Sequence, residues 1–167
     1  MEIKVNDIIL TTDFTRADVD YSIKRHTEIF SEEFGFTDAF NEMVKKIISD
    51  FPAEYNAEKD FMLVARTADG RFAGTITLLG EENGVGRLRY FFVEPFTRGK
   101  GVGKLIFTTA MSLAKDMGYK HLWFTTYNKL VVARTMYRQL GFEVTKEMPA
   151  EDEAGVGGIE EFWEKDI

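Results

Sequence analysis

The sequence predicts an α/β (α+β) domain, a mixed and mostly antiparallel central sheet flanked by helices on both faces. Three observations carry this reading. Its 167 residues suit one domain of ordinary size. The hydrophobic period switches along the chain from helical to alternating and back. No internal repeat and no linker divides residues 1–167 into smaller units.

The first expected helix runs from Thr15 to Phe34, where Val19, Ile23, His26 and Phe30 recur at helical spacing with Asp and Arg near the start. In the second, Phe40, Met43, Val44, Ile47, Ile48 and Phe51 form one apolar face, and Pro52 is expected to end it. Two helices thus precede the main sheet. The texture then changes to FMLVART, FAGTITLL and RLRYFFV, separated by the turn segments ADGR and EENG, which reads as an antiparallel meander. Val102, Leu105, Ile106, Thr109, Ala110, Leu113 and Met117 return to helical spacing, and Gly118 supplies a stop. HLWFTT is a further strand. Leu130, Ala133, Tyr137 and Leu140 make a short amphipathic helix closed by Gly141, and FEVTKEM and GIEEFWEKDI form a final pair of strands around a hairpin loop, EDEAGVGG.

Composition narrows the chemistry. The net charge of −7 opposes binding to a phosphate backbone, so nucleic acid is not an expected partner and a cationic or amine-bearing one is. With no cysteine, disulfides and thiolate nucleophiles are excluded, and two histidines make no convincing metal cage, so no metal is expected. No apolar run approaches the ~20 residues of a membrane span, and MEIKVNDIIL lacks a signal peptide's basic-then-apolar order. The expectation is a soluble, unprocessed, cytoplasmic protein with no membrane partner. A homodimer is compatible with it.

The informative segment is Val93 to Lys104, between a strong strand and a strong helix. Gly99, Gly101 and Gly103 carry no Cβ and let a ligand approach the backbone, while the first-turn amides and the helix dipole point at it. Such a site suits an anion, phosphate in particular. Arg98, Lys100 and Lys104 add positive charge. It is not a Walker loop, because Arg98 stands at the first Gly position and Leu105 follows Gly103-Lys104. Nor is it a dinucleotide fingerprint, since Lys104 occupies the third Gly position and no βαβ unit surrounds it.

Arg98-Gly99-Lys100-Gly101-Val102-Gly103 instead resembles the pyrophosphate loop of the GNAT superfamily of acyl-CoA-dependent N-acyltransferases. Leu88 to Pro95 looks like that family's strand along the pantetheine arm, and Ala133, Tyr137, Gly141 and Phe142 look like its later Ala, Tyr and Gly-Phe signature. The likeness spans Arg87 to Phe142. The helices around His26 to Phe51 and the ending Glu161-Phe162-Trp163 also look like a subgroup often fused to winged-helix repressor domains. One departure stands out: many members carry Asn three residues before the Ala, whereas Asn128 lies five before Ala133.

The resemblance implies a GNAT-like fold and an acetyl-CoA-dependent N-acetyltransferase that passes an acetyl group to an amine of a small molecule, peptide or protein by direct attack. Acetyl-CoA is then the co-substrate. It would be held by Phe91, Phe92 and Val93 along the arm, by Arg98, Gly99, Lys100, Gly101, Val102, Gly103 and Lys104 at the pyrophosphate, and by Asn128, Ala133 and Tyr137. Tyr137 would protonate the departing thiolate, although its place on the face of Leu130, Ala133 and Leu140 reads by periodicity alone as core. The base is open: His26, Glu33 or a water chain. A non-catalytic acyl-CoA-binding module is the alternative function.

Overall fold

The computed structural model describes residues 1–150 and 157–167. Two short strands not expected from the sequence come first: β1 (Glu2–Val5) and β2 (Ile8–Thr11) pair antiparallel around Asn6-Asp7, with Asn6 at φ +52°. Asparagine tolerates that left-handed conformation, so the turn closes without glycine. The helices therefore follow a hairpin rather than opening the chain.

Helix α1 (Arg16–Phe34) starts at a reciprocal cap: Asp18 Oδ2 accepts from the Thr15 amide at 2.8 Å, and Thr15 Oγ1 accepts from the Asp18 amide at 3.3 Å. It ends at Gly35, φ +67°. Helix α2 (Asp38–Glu54) buries Phe40, Val44, Ile48 and Phe51. It does not stop at Pro52 but continues through it to Glu54. Proline there removes one hydrogen bond in the last turn, a far smaller loss than in the middle of a helix.

The expected meander is present as β3 (Phe61–Thr67), β4 (Phe72–Gly80) and β5 (Val85–Val93). Helix α3 (Val102–Asp116), β6 (His121–Tyr127), α4 (Val131–Gln139), β7 (Glu143–Pro149) and β8 (Ile159–Asp166) complete the order. Of the expected hairpin loop, residues 151–156 lie outside the described residues; the strands it joins pair antiparallel. One sheet of eight strands results, ordered β1-β2-β3-β4-β5-β6-β8-β7, and only β5 and β6 run parallel.

Side-chain alternation divides the interior. Along β3, Phe61, Leu63 and Ala65 join Ile106, Phe107 and Trp163 on the α3 and α4 side, while Met62 and Val64 join Val19, Phe40, Val44 and Ile48 on the α1 and α2 side. With both faces covered, β3 and β4 read as near-continuous apolar runs.

The feature that makes a site is a divergence. β5 and β6 share register only at Val85, Gly86 and Arg87 with His121, Leu122 and Trp123. Beyond it, β5 carries a bulge: Arg89 pairs with Thr77 and Phe92 with Thr75, leaving Tyr90 and Phe91 opposite Ile76 alone, with Tyr90 at φ +54°. A bulge bends its strand and increases the local twist. The second half of β5 thus presents an edge that β6 does not cover.

Candidate active site

The gap between the strands is one wall of a cavity of about 680 Å³, lined by β5 from Arg87 to Val93, the end of β6, the glycine loop, α4, and the inner faces of α1 and α2. The elements around it are clamped by buried ion pairs. Glu94, buried just after β5, accepts from Arg25 Nε at 2.7 Å, Arg25 Nη2 at 2.9 Å and the Tyr21 hydroxyl at 2.9 Å, tying α1 to the loop. Glu161, buried in β8, accepts from Arg134 Nε at 2.9 Å, Arg134 Nη2 at 2.7 Å and Trp163 Nε1 at 3.1 Å, tying α4 to the sheet one turn before Tyr137. Breaking such a pair leaves a buried unpaired charge, so both clamps hold the walls firmly. Neither stood out in the sequence, because each joins residues 27 or 69 positions apart.

At one end lies the loop. Gly101 is the first residue of the α3 cap, at φ +76°, and a Cβ there would meet open space. Gly103 is needed for another reason: its Cβ would press on Val93 Cγ2 at 3.1 Å, so the residue lets the first turn of α3 lie close against β5. The turn offers unpaired backbone N–H groups and the positive end of a dipole to the cavity. Gly99, Val102 and Lys104 line the same space, and Lys100 instead faces a separate hollow beside Val5 to Ile8. Arg98 is folded back, its Nη1 donating to both Glu33 oxygens at 2.7 and 2.8 Å and its Nε to the Val93 carbonyl at 3.3 Å.

That ion pair gives Glu33 a place other than that of a free base. Exposed pairs of this kind contribute about 0–1 kcal/mol. If Glu33 only restrains Arg98, Glu33→Gln should leave turnover within about twofold and shift acetyl-CoA affinity by less than about fivefold, toward tighter binding. Turnover lost by about 10²-fold would instead restore Glu33 as the base.

His26 lines the cavity wall, stacked on Phe30 with ring centroids 4.5 Å apart and edge-on to Phe92 at 5.6 Å. Its Nδ1 is buried with no hydrogen-bond partner among the described residues. Burial holds its pKa down to about 4. The unfolded chain, with an ordinary pKa near 6.5, takes up the proton first, so stability present above pH 6.5 is lost as pH falls toward 4. The full effect is about 3 kcal/mol. Urea unfolding of the parent and of His26→Phe between pH 7 and 4.5 should give curves that diverge as pH falls, with the parent losing more; parallel curves would refute the burial argument.

At the far side, Tyr137 is 5% exposed and packs on Phe124, Phe107 and Trp163 at centroid distances of 4.5, 5.3 and 5.6 Å. It also lines the cavity, and its hydroxyl makes no hydrogen bond among the described residues. Burial raises its pKa, so the phenol stays protonated. Phe91, Phe92, Val93 and Ala133 line the cavity as well. Asn128 does not: its Oδ1 accepts from the Ile159 amide at 3.1 Å and its backbone pairs with Ile159, so it fastens β6 to β8 outside the cavity wall. The offset of Asn128 relative to Ala133 already separated it from the pattern, and here that offset directs the amide to a neighbouring strand.

No group of three or more His, Asp and Glu among the described residues is placed to hold a metal, and no described helix is long and apolar enough to cross a membrane.

Comparison with known proteins bears on the fold and the family. The chain is 36% identical over 70 residues to the uncharacterized N-acetyltransferase YjgM of Escherichia coli, a match spanning 42% of each protein. It is 24% identical over 119 residues to an uncharacterized N-acetyltransferase of Schizosaccharomyces pombe, covering 70% of this chain and 72% of that one. Its fold superposes on a GCN5-related N-acetyltransferase from Kribbella flavida with TM-score 0.77 at 21% identity, covering 96% of this chain and 98% of that one. A GNAT-family acetyltransferase from Staphylococcus aureus gives TM-score 0.74 at 17% identity, over 95% and 98%. The model of the acetyltransferase (GNAT) family matches residues 23–142, a span that takes in His26, the splayed strand, the glycine loop and Tyr137, and the chain belongs to that family.

Proposed function

We propose that this protein transfers an acetyl group from acetyl-CoA to an amine by direct attack. One observation carries the reading: the splay of β5 from β6 opens a single cavity that runs from the glycine-rich N-terminus of α3 to the hydroxyl of Tyr137. Acetyl-CoA supplies an activated acyl carbon and a thiolate leaving group. The amides at the start of α3, with Lys104 and Arg98, suit the pyrophosphate, and the open space over Gly101 is the fit expected of a phosphate cradle. The uncovered edge of β5 at Phe91, Phe92 and Val93 suits the amides of the pantetheine arm, as an added strand would pair with it. Tyr137, held neutral by burial, donates its proton to the thiolate. Glu33 is engaged by Arg98, and His26 has low proton affinity, so the amine enters neutral and loses its proton to water.

The test is direct. Calorimetry should show heat on adding acetyl-CoA, with stabilisation of about 2.7 kcal/mol at a hundredfold excess over Kd. A panel of amines should then release free thiol from acetyl-CoA in an amine-dependent way. Binding without thiol release from any amine would identify a non-catalytic acyl-CoA-binding module, and no binding at all would defeat both readings.

A further inference from the structure

The acidic balance of the whole chain does not describe the cavity. Arg87, Arg89, Arg98, Lys104 and Lys129 line it, against a single carboxylate, Glu33, already paired with Arg98. Arg98 and Lys104 belong to the loop. Arg87 and Arg89 do not: they stand before the bulge, and at about 3.3 Å per residue Arg89 is about 13 Å of strand from Val93, where the loop begins. Two residues apart on a strand, they share a face. Leu88 between them packs in the α3 and α4 cluster, so that shared face is the one toward α1 and α2.

Neither guanidinium has an ion-pair partner among the described residues. Arg87 lies over the Trp123 ring at 4.4 Å and Arg89 over Tyr90 at 5.0 Å, and Arg87 Nε is buried with no hydrogen-bond partner. Glu81, which accepts from Trp123 Nε1 at 3.1 Å, and Glu160 act on Arg87 only through space. Two neighbouring like charges that both line the cavity and lack a carboxylate partner repel one another, and an anion bound between them would relieve that repulsion. A guanidinium resting over an aromatic ring is restrained there, and its planar fork suits a carboxylate through two parallel hydrogen bonds.

We propose that Arg87 and Arg89 bind a carboxylate of the acceptor, which makes the acceptor a small carboxylate-bearing amine, an amino acid rather than a polyamine. This rests on the acetyl-transfer reading and names the substrate class for it. Arg89 directly precedes the bulge, so the carboxylate is anchored on the acceptor side of the cavity and the amine a few bonds away is directed toward the uncovered stretch of β5.

The experiment compares free amino acids with their primary amides and with a polyamine as acetyl acceptors, with acetyl-CoA saturating. The parent should prefer each acid over its amide by at least tenfold in kcat/KM. Arg89→Gln should cut that preference at least tenfold through KM, with kcat at saturating acceptor within about threefold. Arg87→Lys, which keeps charge and loses the fork, should cut it too while retaining the melting temperature. Calorimetric acetyl-CoA affinity serves as the folding control for both. A parent that acetylates amides or polyamines as well as the acids, or an Arg89→Gln variant with an unchanged acid-to-amide ratio, would overturn this inference and leave acetyl transfer standing. Bound acetyl-CoA with no acetylation of any amine would instead remove the reading on which it rests.

Discussion

Gly101→Val should reduce acetyl-CoA affinity by about 10²-fold or more, equivalent to about 3 kcal/mol, while the protein still folds. The reasoning begins at the backbone. Gly101 sits at φ +76°, where a side chain costs about 1–2 kcal/mol, so the variant is less stable than the parent. That loss says nothing about ligand binding, and a control separates the two effects. Gly70, in the β3–β4 turn, is also left-handed, at φ +86°, also has nothing within 4 Å of a built Cβ, and lies away from the cavity. Gly70→Val should carry the same backbone penalty and bind acetyl-CoA like the parent. The difference at Gly101 is what the open space is for. A branched side chain there would cover the first-turn amides of α3, which are the donors an anion requires. Calorimetry on both variants decides it: equal affinities would place the phosphates away from this turn.

How far the sequence leads depends on the range of the interaction concerned. Where a signal is local, it is legible: the meander follows from ADGR and EENG between β-rich runs, and α3 follows from its period and its glycines. The β1–β2 hairpin, turning at Asn6-Asp7 between Ile3, Val5, Ile8 and Leu10, is faint in the sequence, because the two strands are so short that their apolar residues suggest little until β3 is found beside them. The α2 helix passes Pro52 because proline in the last turn costs one hydrogen bond and no more. What the sequence leaves out is long-range. Glu94 reads as one more acid in an acidic chain, and its clamp on Tyr21 and Arg25 exists only once α1 has crossed the sheet. Glu33 and Arg98 are each visible as charges, 65 residues apart; that they neutralise one another at the cavity rim is a product of the fold. The site follows the same division. Its loop is a contiguous segment with its own chemistry, whereas the cavity requires the splay of β5 from β6, produced by a bulge at Tyr90 that no turn residue announces.

Tyr137→Phe should lower turnover by about 10²-fold or more while leaving acetyl-CoA affinity unchanged and stability close to the parent's. Both halves come from one oxygen atom. The ring is packed among Phe91, Phe107, Phe124 and Trp163, and phenylalanine fills the same space, so the packing survives the change. The hydroxyl itself makes no hydrogen bond among the described residues, and the wall it occupies is apolar. The hydroxyl faces the cavity rather than the packed interior, so removing it should leave the melting temperature within about a degree or two of the parent. A structural tyrosine would behave in the opposite way, losing a satisfied hydrogen bond and about 1 kcal/mol of stability with turnover untouched. Burial of the residue raises the pKa of the phenol, so it remains a proton donor across the working pH range. Turnover must be measured with acetyl-CoA saturating, on an acceptor from the amine panel, to remove any effect on binding. A variant that melts like the parent yet turns over about 10²-fold more slowly would tie the hydroxyl to the chemical step. A variant with parental turnover would return Tyr137 to the core and leave the thiolate to be protonated by water.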